Sequence, residues 1–341
     1  MTTSLRQLGE LGLIRRIRDA VNPGDVAGVR TGIGDDTAVL AITPGAVLLA
    51  TTDLVVEDVH FRQAWASPHD VGWKAMAVNL SDIAAMGGRA RWALVGLALP
   101  ASTEVEAVDQ FYAGLRAAAA PHGVHIVGGD CSLSPDGWMV DVTLLGEHLG
   151  APKLRSAARS GDVVAVTGTL GRSAGGLALL EAGASSGSGI GEALRAELVT
   201  AHLRPTARLA EGRWLGGQPT VHAMMDVSDG IATDLAHICR ESGVGARVAL
   251  ERLPIAPAAR EAARALGQDP LRWAVGGGED YELLLTCEPG AADALAQGLL
   301  RATGAALTVI GWIDQPGSGV TYLDDRGEPV ALPPGFQHFD A

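Results

Sequence analysis

Residues 46–53, AVLLATTD, contain a strand-like run from Ala46 to Thr52 that ends at Asp53. A long helix is predicted next, from His69 to Met86, and Gly87-Gly88 ends it. A second apolar run, Trp92 to Leu99, is again typical of a buried strand. This succession of strand, helix and strand indicates an α/β protein.

The same alternation continues along the whole chain of 341 residues, which is about twice the length of a typical single domain. The composition changes between His148 and Ser160, where glycine, proline and small residues separate two predicted strands. We therefore predict an N-terminal domain at residues 1–148 and a C-terminal domain at 149–341, with one large domain as the alternative. Further strands are predicted at Val124–Val127, Met139–Gly146, Val163–Val166, Arg247–Leu250, Tyr281–Thr286, Leu307–Trp312 and Val320–Leu323, with another ending at Asp226, and further helices at Thr103–His122, Ser173–Glu181, Pro205–Leu215, Asp229–Ser242 and Ala291–Ala302.

The charge of the chain excludes one class of partner. The formal net charge is −13, whereas a nucleic-acid-binding protein needs a basic face to replace the counterions of phosphate. Lysine occurs only at Lys74 and Lys153, so a bound phosphate would have to be neutralised by arginines, backbone N–H groups or metal ions.

The cellular compartment is predicted from the cysteines and from the lengths of the apolar runs. Cys131, Cys239 and Cys287 form no CxxC pair, and three cysteines make no disulfide framework, so we expect a reducing cytoplasm. The first twenty residues lack the apolar block of a signal peptide, and no apolar run reaches membrane-spanning length. We therefore expect no membrane partner.

Six short motifs combine acidic residues with glycine, serine or threonine, and most follow an apolar run. In an α/β protein this is where ligands bind. Aspartate and glycine are also common in turns, and that explanation is the better one for any single motif. Six motifs that converge would gather several carboxylates, and such a pocket requires bound cations. The motifs are Gly34-Asp35-Asp36, Thr51-Thr52-Asp53, Ser81-Asp82, Gly128-Gly129-Asp130, Asp226-Val227-Ser228-Asp229-Gly230 and Gly276-Gly277-Gly278-Glu279-Asp280-Tyr281-Glu282.

The donor atoms favour magnesium over other metals. An EF-hand beginning at Asp226 would need glycine where Ile231 stands and glutamate where His237 stands, so calcium is disfavoured. Histidines and cysteines have no spacing that suits zinc, and the acids supply only oxygen. Neither lysine belongs to a P-loop, and no protein-kinase motifs occur.

Taken in order, the motifs resemble those of the thiamine-monophosphate kinase family, within the aminoimidazole-ribonucleotide-synthetase-like superfamily. The resemblance covers nearly the whole chain. All six motifs above match the family, the first from Gly32 onward and the last from Gly277 onward, and Ser81-Asp82 is part of a longer match from Ala77 to Gly87. The other matching segments are Leu54-Val55, His60-Phe61, Val166-Thr167-Gly168, His202-Leu203-Arg204-Pro205 and Gly335-Phe336-Gln337-His338-Phe339.

The resemblance implies transfer of the ATP γ-phosphoryl group to thiamine monophosphate, giving thiamine diphosphate and ADP. It also implies two α/β domains with mixed sheets, in which the N-terminal sheets of two chains pair in a homodimer. The N-terminal domain would bind ATP and magnesium, and the C-terminal domain would complete the active site.

Individual roles follow from the same motif matches. Asp130, Asp229 and Arg155 would be catalytic, and His60, Glu279 and Phe336 would face thiamine. ATP contacts would come from Tyr112, Gly129, Asp130, Arg155 and Ser228. Several Mg²⁺ ions would be held by Asp36, Thr51, Thr52, Asp53, Asp82, Asp130, Asp226 and Asp229.

Some of these residues also have plain structural explanations. Arg155 could be a solvated surface residue, Tyr112 a core aromatic residue and His60 an ordinary hydrogen-bonded histidine. Phe336 could be an aromatic anchor at the C-terminus.

Other functions remain open at the level of sequence. A selenophosphate synthase would need a cysteine before Cys131, and a carbamoyl-dehydratase-like maturation protein would end in a cysteine rather than in Ala341. The remaining alternatives are another ATP-dependent enzyme of the superfamily with a different small acceptor, or a non-catalytic magnesium-nucleotide-binding module.

Overall fold

The computed structural model describes residues 3–21, 26–183 and 189–332. The described chain forms two compact units. One unit comprises the residues up to Ile83 together with Gly88–Ala151, and the other comprises Ala84–Gly87 together with the residues from Pro152 onward. Each unit has its own sheet and its own helices, so the predicted α/β class with mixed sheets is confirmed.

The elements of the first unit are α1 (Leu5–Leu8), α2 (Glu10–Val21), β1 (Val29–Thr31), β2 (Val39–Leu40), β3 (Val47–Val56), α3 (Pro68–Ala85), β4 (Arg89–Leu99), α4 (Val105–Ala119), β5 (His125–Leu133) and β6 (Met139–His148). Strands β1 and β2 form a two-stranded sheet. The other four strands form a mixed sheet of order β3-β6-β4-β5, in which β4 and β5 are parallel and the other pairs are antiparallel.

The faces of this sheet differ in exposure. Along β3 the side chains of Leu49 and Val55 are buried, whereas Leu48 and Leu54 on the opposite face are 47% and 51% exposed. Since neighbouring side chains of a strand point to opposite faces, the apolar run conceals two environments.

The elements of the second unit are β7 (Val163–Thr167), α5 (Arg172–Ala182), α6 (Glu192–Leu203), α7 (Leu209–Gly216), β8 (Val221–Asp226), α8 (Ile231–Ser242), β9 (Gly245–Ala249), α9 (Pro257–Leu266), α10 (Pro270–Gly276), β10 (Leu283–Cys287), α11 (Ala292–Thr303), β11 (Leu307–Asp314), β12 (Val320–Leu323) and β13 (Pro329–Val330). Its strands form a seven-stranded sheet of order β13-β12-β9-β11-β7-β10-β8, in which only the β9-β12 pair is parallel. All residues of β8 and β10 are buried, which explains why both strands are mainly apolar.

Most predicted elements are confirmed, but several strands are longer than expected, β3 and β5 most of all. The prediction that the first strand ends before Asp53 was wrong, because β3 continues to Val56 and pairs with β6 over its whole length. The strand predicted to end at Val127 likewise continues to Leu133 and contains Asp130. In both strands the hydrogen bonds to a neighbouring strand outweigh the low strand propensity of glycine and aspartate.

Helices α6, α9 and α10 were not predicted, and the helix expected from Pro205 begins only at Leu209. Within the residues that the structure describes, no helix combines the length and apolarity that crossing a membrane requires.

Candidate functional site

The first unit carries an acidic cluster that we call the N-terminal acidic cluster, made of Thr51, Asp53 and Asp82. Thr51 and Asp53 lie on the same face of β3, and Asp82 lies on α3. The Thr51 hydroxyl donates a short hydrogen bond to Asp82 Oδ2. Burial, followed by the charge of Asp82, raises the pKa of Asp53 from 3.8 to about 7. The structure therefore brings together three of the predicted metal ligands.

Thr52 lies on the other face of the sheet, because it is the strand neighbour of Thr51 and Asp53. Its hydroxyl donates to Asp141 Oδ1 at 2.7 Å and lies 3.1 Å from Thr143 Oγ1. Sequence reasoning did not select Asp141. The three consecutive residues of the predicted motif thus belong to two different surroundings.

Asp130 lies near Asp141 in the register of the sheet. Gly96 on β4 is the Cα partner of Asp130 on β5 and also of Asp141 on β6. Two strand spacings, roughly 10 Å, therefore separate the two aspartates. Asp36 lies in the exposed loop between β1 and β2, where its backbone N–H donates to Asp35 Oδ1.

Gly129 has a geometric reason to be glycine. Its φ is +154°, and a Cβ atom there would lie 2.0 Å from the carbonyl oxygen of Val95. No other residue fits so close to β4. Glycine at this position is therefore what lets β5 pair closely with β4 next to Asp130.

Tyr112 and His60 have ordinary structural partners. Tyr112 is 3% exposed on α4 and packs edge-to-face against Phe111 at 5.3 Å, and burial raises the pKa of its hydroxyl. His60 Nδ1 accepts the backbone N–H of Val56, and the His60 carbonyl accepts from Lys74 Nζ at 3.4 Å. For Tyr112 this is the core position that we gave as the alternative to an ATP contact.

In the second unit, the two richest acidic motifs are joined through their backbones. The N–H of Glu279 donates to the Ser228 carbonyl at 2.7 Å, and the N–H of Tyr281 donates to the Val227 carbonyl at 2.9 Å. Gly278 permits this approach, since a Cβ atom there would lie 2.6 Å from the Ser228 carbonyl oxygen. Glu279 itself adopts φ +54°, a left-handed conformation that costs energy in a non-glycine residue.

A second acidic cluster, which we call the C-terminal acidic cluster, consists of Asp226, Asp229 and Asp234. Asp226 ends β8, and Asp234 lies in the first turn of α8 and accepts the backbone N–H of Asp229 at 3.2 Å. Burial, then the charges of Asp226 and Asp229, raises the pKa of Asp234 to about 8. One Asp234 oxygen, Oδ1, is buried without a hydrogen-bond partner in the described chain.

Asp234 was missed by sequence reasoning because it does not stand beside a glycine. Its spacing is a usable signal, since the first turn of a helix that follows an acidic loop returns its side chains toward that loop. Within the described residues, no group of three or more histidine, cysteine, aspartate or glutamate side chains is already gathered as a metal ligand set.

The acids of the last motif have different tasks. Glu282 is fully buried and accepts two hydrogen bonds from Arg208, at 2.7 and 2.6 Å, and one from the Thr167 hydroxyl. Asp280 accepts the backbone N–H groups of Gly171 and Ser173 at the start of α5, and burial raises its pKa to about 7. Both therefore hold the loop in place.

Glu279 faces a cavity. Its side chain is 26% exposed and lines a cavity of about 420 Å³ whose wall also contains Arg172, Thr200 and Arg204. This volume suits a small ligand rather than a macromolecule. Arg155 is exposed at the start of a 3₁₀ turn, where its carbonyl accepts from Ser242 Oγ, and Phe336 lies outside the described residues.

Comparison with known proteins agrees with this architecture. Residues 34–148 match the AIR synthase related protein N-terminal domain, and residues 159–324 match the AIR synthase related protein C-terminal domain. Thiamine-monophosphate kinase of Aquifex aeolicus is 39% identical over 285 residues, which cover 83% of this chain and 87% of that protein.

Two solved structures extend the comparison. The crystal structure of thiamine-monophosphate kinase from Stenotrophomonas maltophilia has a TM-score of 0.80 at 38% identity, covering 93% of this chain and 96% of that one. The structure of AaThiL complexed with AMPPCP and TMP has a TM-score of 0.76 at 35% identity, covering 99% of this chain and all of that one. The chain therefore belongs to the thiamine-monophosphate kinase family of AIR synthase related proteins.

Proposed function

We propose that the chain transfers the γ-phosphoryl group of ATP to thiamine monophosphate and releases thiamine diphosphate and ADP. The observation that carries this function is the pair of crowded carboxylate clusters, one in each unit, in a protein that has almost no lysine. The relative AaThiL, solved with AMPPCP and TMP, supports both the nucleotide and the acceptor.

The chemistry of the two clusters fits Mg²⁺. Every candidate ligand is an oxygen, and the pKa values of Asp53 and Asp234 are raised partly because neighbouring carboxylates repel each other. A divalent cation removes that repulsion. The residues that would hold Mg²⁺ ions are Asp36, Thr51, Thr52, Asp53, Asp82, Asp130, Asp226 and Asp229. When bound, the ions would neutralise the phosphate oxygens.

The chain itself then has to position two anions for an in-line transfer. The phosphate of the acceptor is already ionised near neutral pH, so no protein nucleophile and no strong general base is required. The ATP contacts would come from Gly129, Asp130, Arg155, Ser228 and Tyr112. Asp130, Asp229 and Arg155 form the proposed catalytic set, in which Arg155 would neutralise charge on the transferred group.

The acceptor would be recognised by His60, Glu279 and Phe336. Thiamine carries a permanently positive thiazolium ring and an aminopyrimidine ring, and both suit a carboxylate. Glu279 lines a cavity of suitable size, which supports its assignment. Phe336 would stack on a flat ring.

We further propose that residues 1–148 form the ATP- and magnesium-binding domain that dimerises, and that residues 149–341 complete the active site. Apolar side chains on the first sheet and its rim are unusually exposed: Leu48, Leu54, Leu133 and Met139 are 42–69% exposed. Such a surface is typical of an interface, and it supports pairing of these sheets in a homodimer. A cytoplasmic location remains a prediction from the cysteine pattern.

An acceptor panel tests this function. Purified protein, ATP and Mg²⁺ are incubated with thiamine monophosphate, free thiamine, and other small phosphorylated and carboxylate acceptors, and ADP release is followed. We expect ADP release with thiamine monophosphate and with none of the other acceptors. Release only with another acceptor would favour a different enzyme of the superfamily, and binding of ATP without release would favour a non-catalytic module.

A further inference from the structure

His202 is a buried histidine in the segment His202-Leu203-Arg204-Pro205, which matches the family, but the motif alone gives this residue no role. It lies near the end of α6 and is 5% exposed. Its Nδ1 atom lies 3.1 Å from Glu279 Oε2 and 3.0 Å from Ser173 Oγ. His202 does not line the cavity beside Glu279, so it can affect a ligand there only through its neighbour.

The backbone of Glu279 is fixed, but its side chain needs a further contact. The N–H of Glu279 is tied to the Ser228 carbonyl, and its φ of +54° is held by the glycine that precedes it. A glutamate side chain has several rotatable bonds, and fixing them costs conformational entropy. The contact with His202 Nδ1 favours one orientation of the carboxylate at the cavity wall.

His202 is itself held in place by the packing of α5 against α6. A Cβ atom at Gly176 would lie 2.1 Å from the Leu198 carbonyl oxygen and 2.9 Å from His202 Cβ. The two helices therefore approach more closely than a residue with a side chain at position 176 would allow. Ser173, 2% exposed, lies on the same helix as Gly176, and its backbone N–H donates to Asp280. The imidazole therefore has rigid support on both sides.

We propose that His202 is a positioning residue for acceptor binding, because it fixes the Glu279 carboxylate toward the nitrogen-bearing, cationic heteroaromatic part of the acceptor. The single Nδ1–H of the imidazole is shared between two acceptors, Glu279 Oε2 and Ser173 Oγ. The inference rests on the proposed function, in which Glu279 faces thiamine. It assigns to the chain a specificity determinant that does not touch the ligand.

The test compares two substitutions at one position. His202→Leu keeps the volume but removes the donor, and His202→Asn restores an N–H near the position of Nδ1. For His202→Leu we expect the KM for thiamine monophosphate to rise about tenfold, with kcat and the KM for ATP changed less than twofold. His202→Asn should recover most of the loss, and a thermal melt of each variant checks the fold.

A double-mutant cycle separates positioning from a general structural effect. In a Glu279→Gln background, His202→Leu should change the acceptor KM less than twofold, because the carboxylate it positions is already lost. The matched control is His222→Asn, which alters another buried histidine that is paired with Asp162 at the opposite end of β8 from Asp226. It should leave the acceptor KM unchanged.

Three results would overturn the inference and leave the proposed function standing. They are an unchanged acceptor KM in His202→Leu, the same rise in the Glu279→Gln background as in the wild type, and an equal rise in the KM for ATP. Failure of the wild type to form thiamine diphosphate would instead refute the proposed function.

Discussion

Replacing Asp53 by asparagine should stabilise the protein in the absence of metal while it removes activity. The pKa of Asp53 is raised from 3.8 to about 7, chiefly by burial and then by Asp82. The folded protein therefore holds this proton more tightly than the unfolded chain does. Stability from the bound proton is fully present near pH 4 and is lost as the pH rises through about 7.

The size of the effect follows from the same shift. A pKa rise from 3.8 to about 7 corresponds to roughly 4 kcal/mol at about 1.36 kcal/mol per pKa unit. Asparagine has nearly the same shape as protonated aspartate and can still donate to Asp82. In EDTA, Asp53→Asn should raise the free energy of unfolding by roughly 2–4 kcal/mol at pH 8 and leave it almost unchanged at pH 4.

Urea unfolding of both proteins at pH 4, 6 and 8 in EDTA measures this difference. The matched control is Asp136→Asn, an exposed aspartate in the same unit, which should give no pH-dependent gain. Mg²⁺ should raise the melting temperature of the wild type most at pH 8, and should do so less in the variant. A gain of equal size at pH 4 and pH 8, or a loss of stability at pH 8, would show that the ionised Asp53 carboxylate does not destabilise the folded protein.

Three further predictions concern the other unit and the assembly. Asp229→Asn should lower kcat at least a hundredfold without changing the circular dichroism spectrum, since it removes a charge at constant volume; near-wild-type turnover would contradict its role. Glu282→Gln should lower the free energy of unfolding by roughly 3 kcal/mol in urea, because it leaves the Arg208 charge without its buried partner; a loss below about 1 kcal/mol would argue against that pairing. Light scattering should give the mass of two chains, and Leu54→Asp should shift it toward one chain; a monomeric wild type would reject the dimer.

The general architecture was predictable because local patterns and tertiary structure agree. The strand expected to end at Asp226 does end there, since its six residues are all buried and the chain then turns into the acidic loop. The strand at Val320–Leu323 was also predicted with its observed bounds. In β8, burial of both faces goes with a mainly apolar sequence, and that composition makes the strand visible in the sequence.

The composition of the site was less predictable, because neighbours in sequence need not share surroundings. Thr51 and Thr52 stand side by side, yet the strand turns one toward Asp82 and the other toward Asp141. Because the predicted strand ended at Asp53, the alternation of side chains between the two faces of the sheet was not expected to continue through this motif. It becomes visible only once β3 is known to continue to Val56.

Roles within one motif were also beyond sequence. Glu279 and Glu282 stand three residues apart in an acidic loop, but one lines a cavity and the other is fully buried against Arg208. Residues far away in the chain decide this difference. Asp234 and His202 were overlooked for the same reason, because the partners that give them a task lie on other elements.

The proposed function is phosphorylation of thiamine monophosphate at its phosphate group. The most direct measurement incubates the purified protein with thiamine monophosphate, Mg²⁺ and ATP labelled in the γ-phosphoryl group, and separates the products by chromatography. We predict labelled thiamine diphosphate and ADP in equal amounts, and no label in inorganic phosphate beyond the rate without enzyme. Label that remains in ATP or appears only as inorganic phosphate, across a range of Mg²⁺ concentrations, would contradict the proposed function.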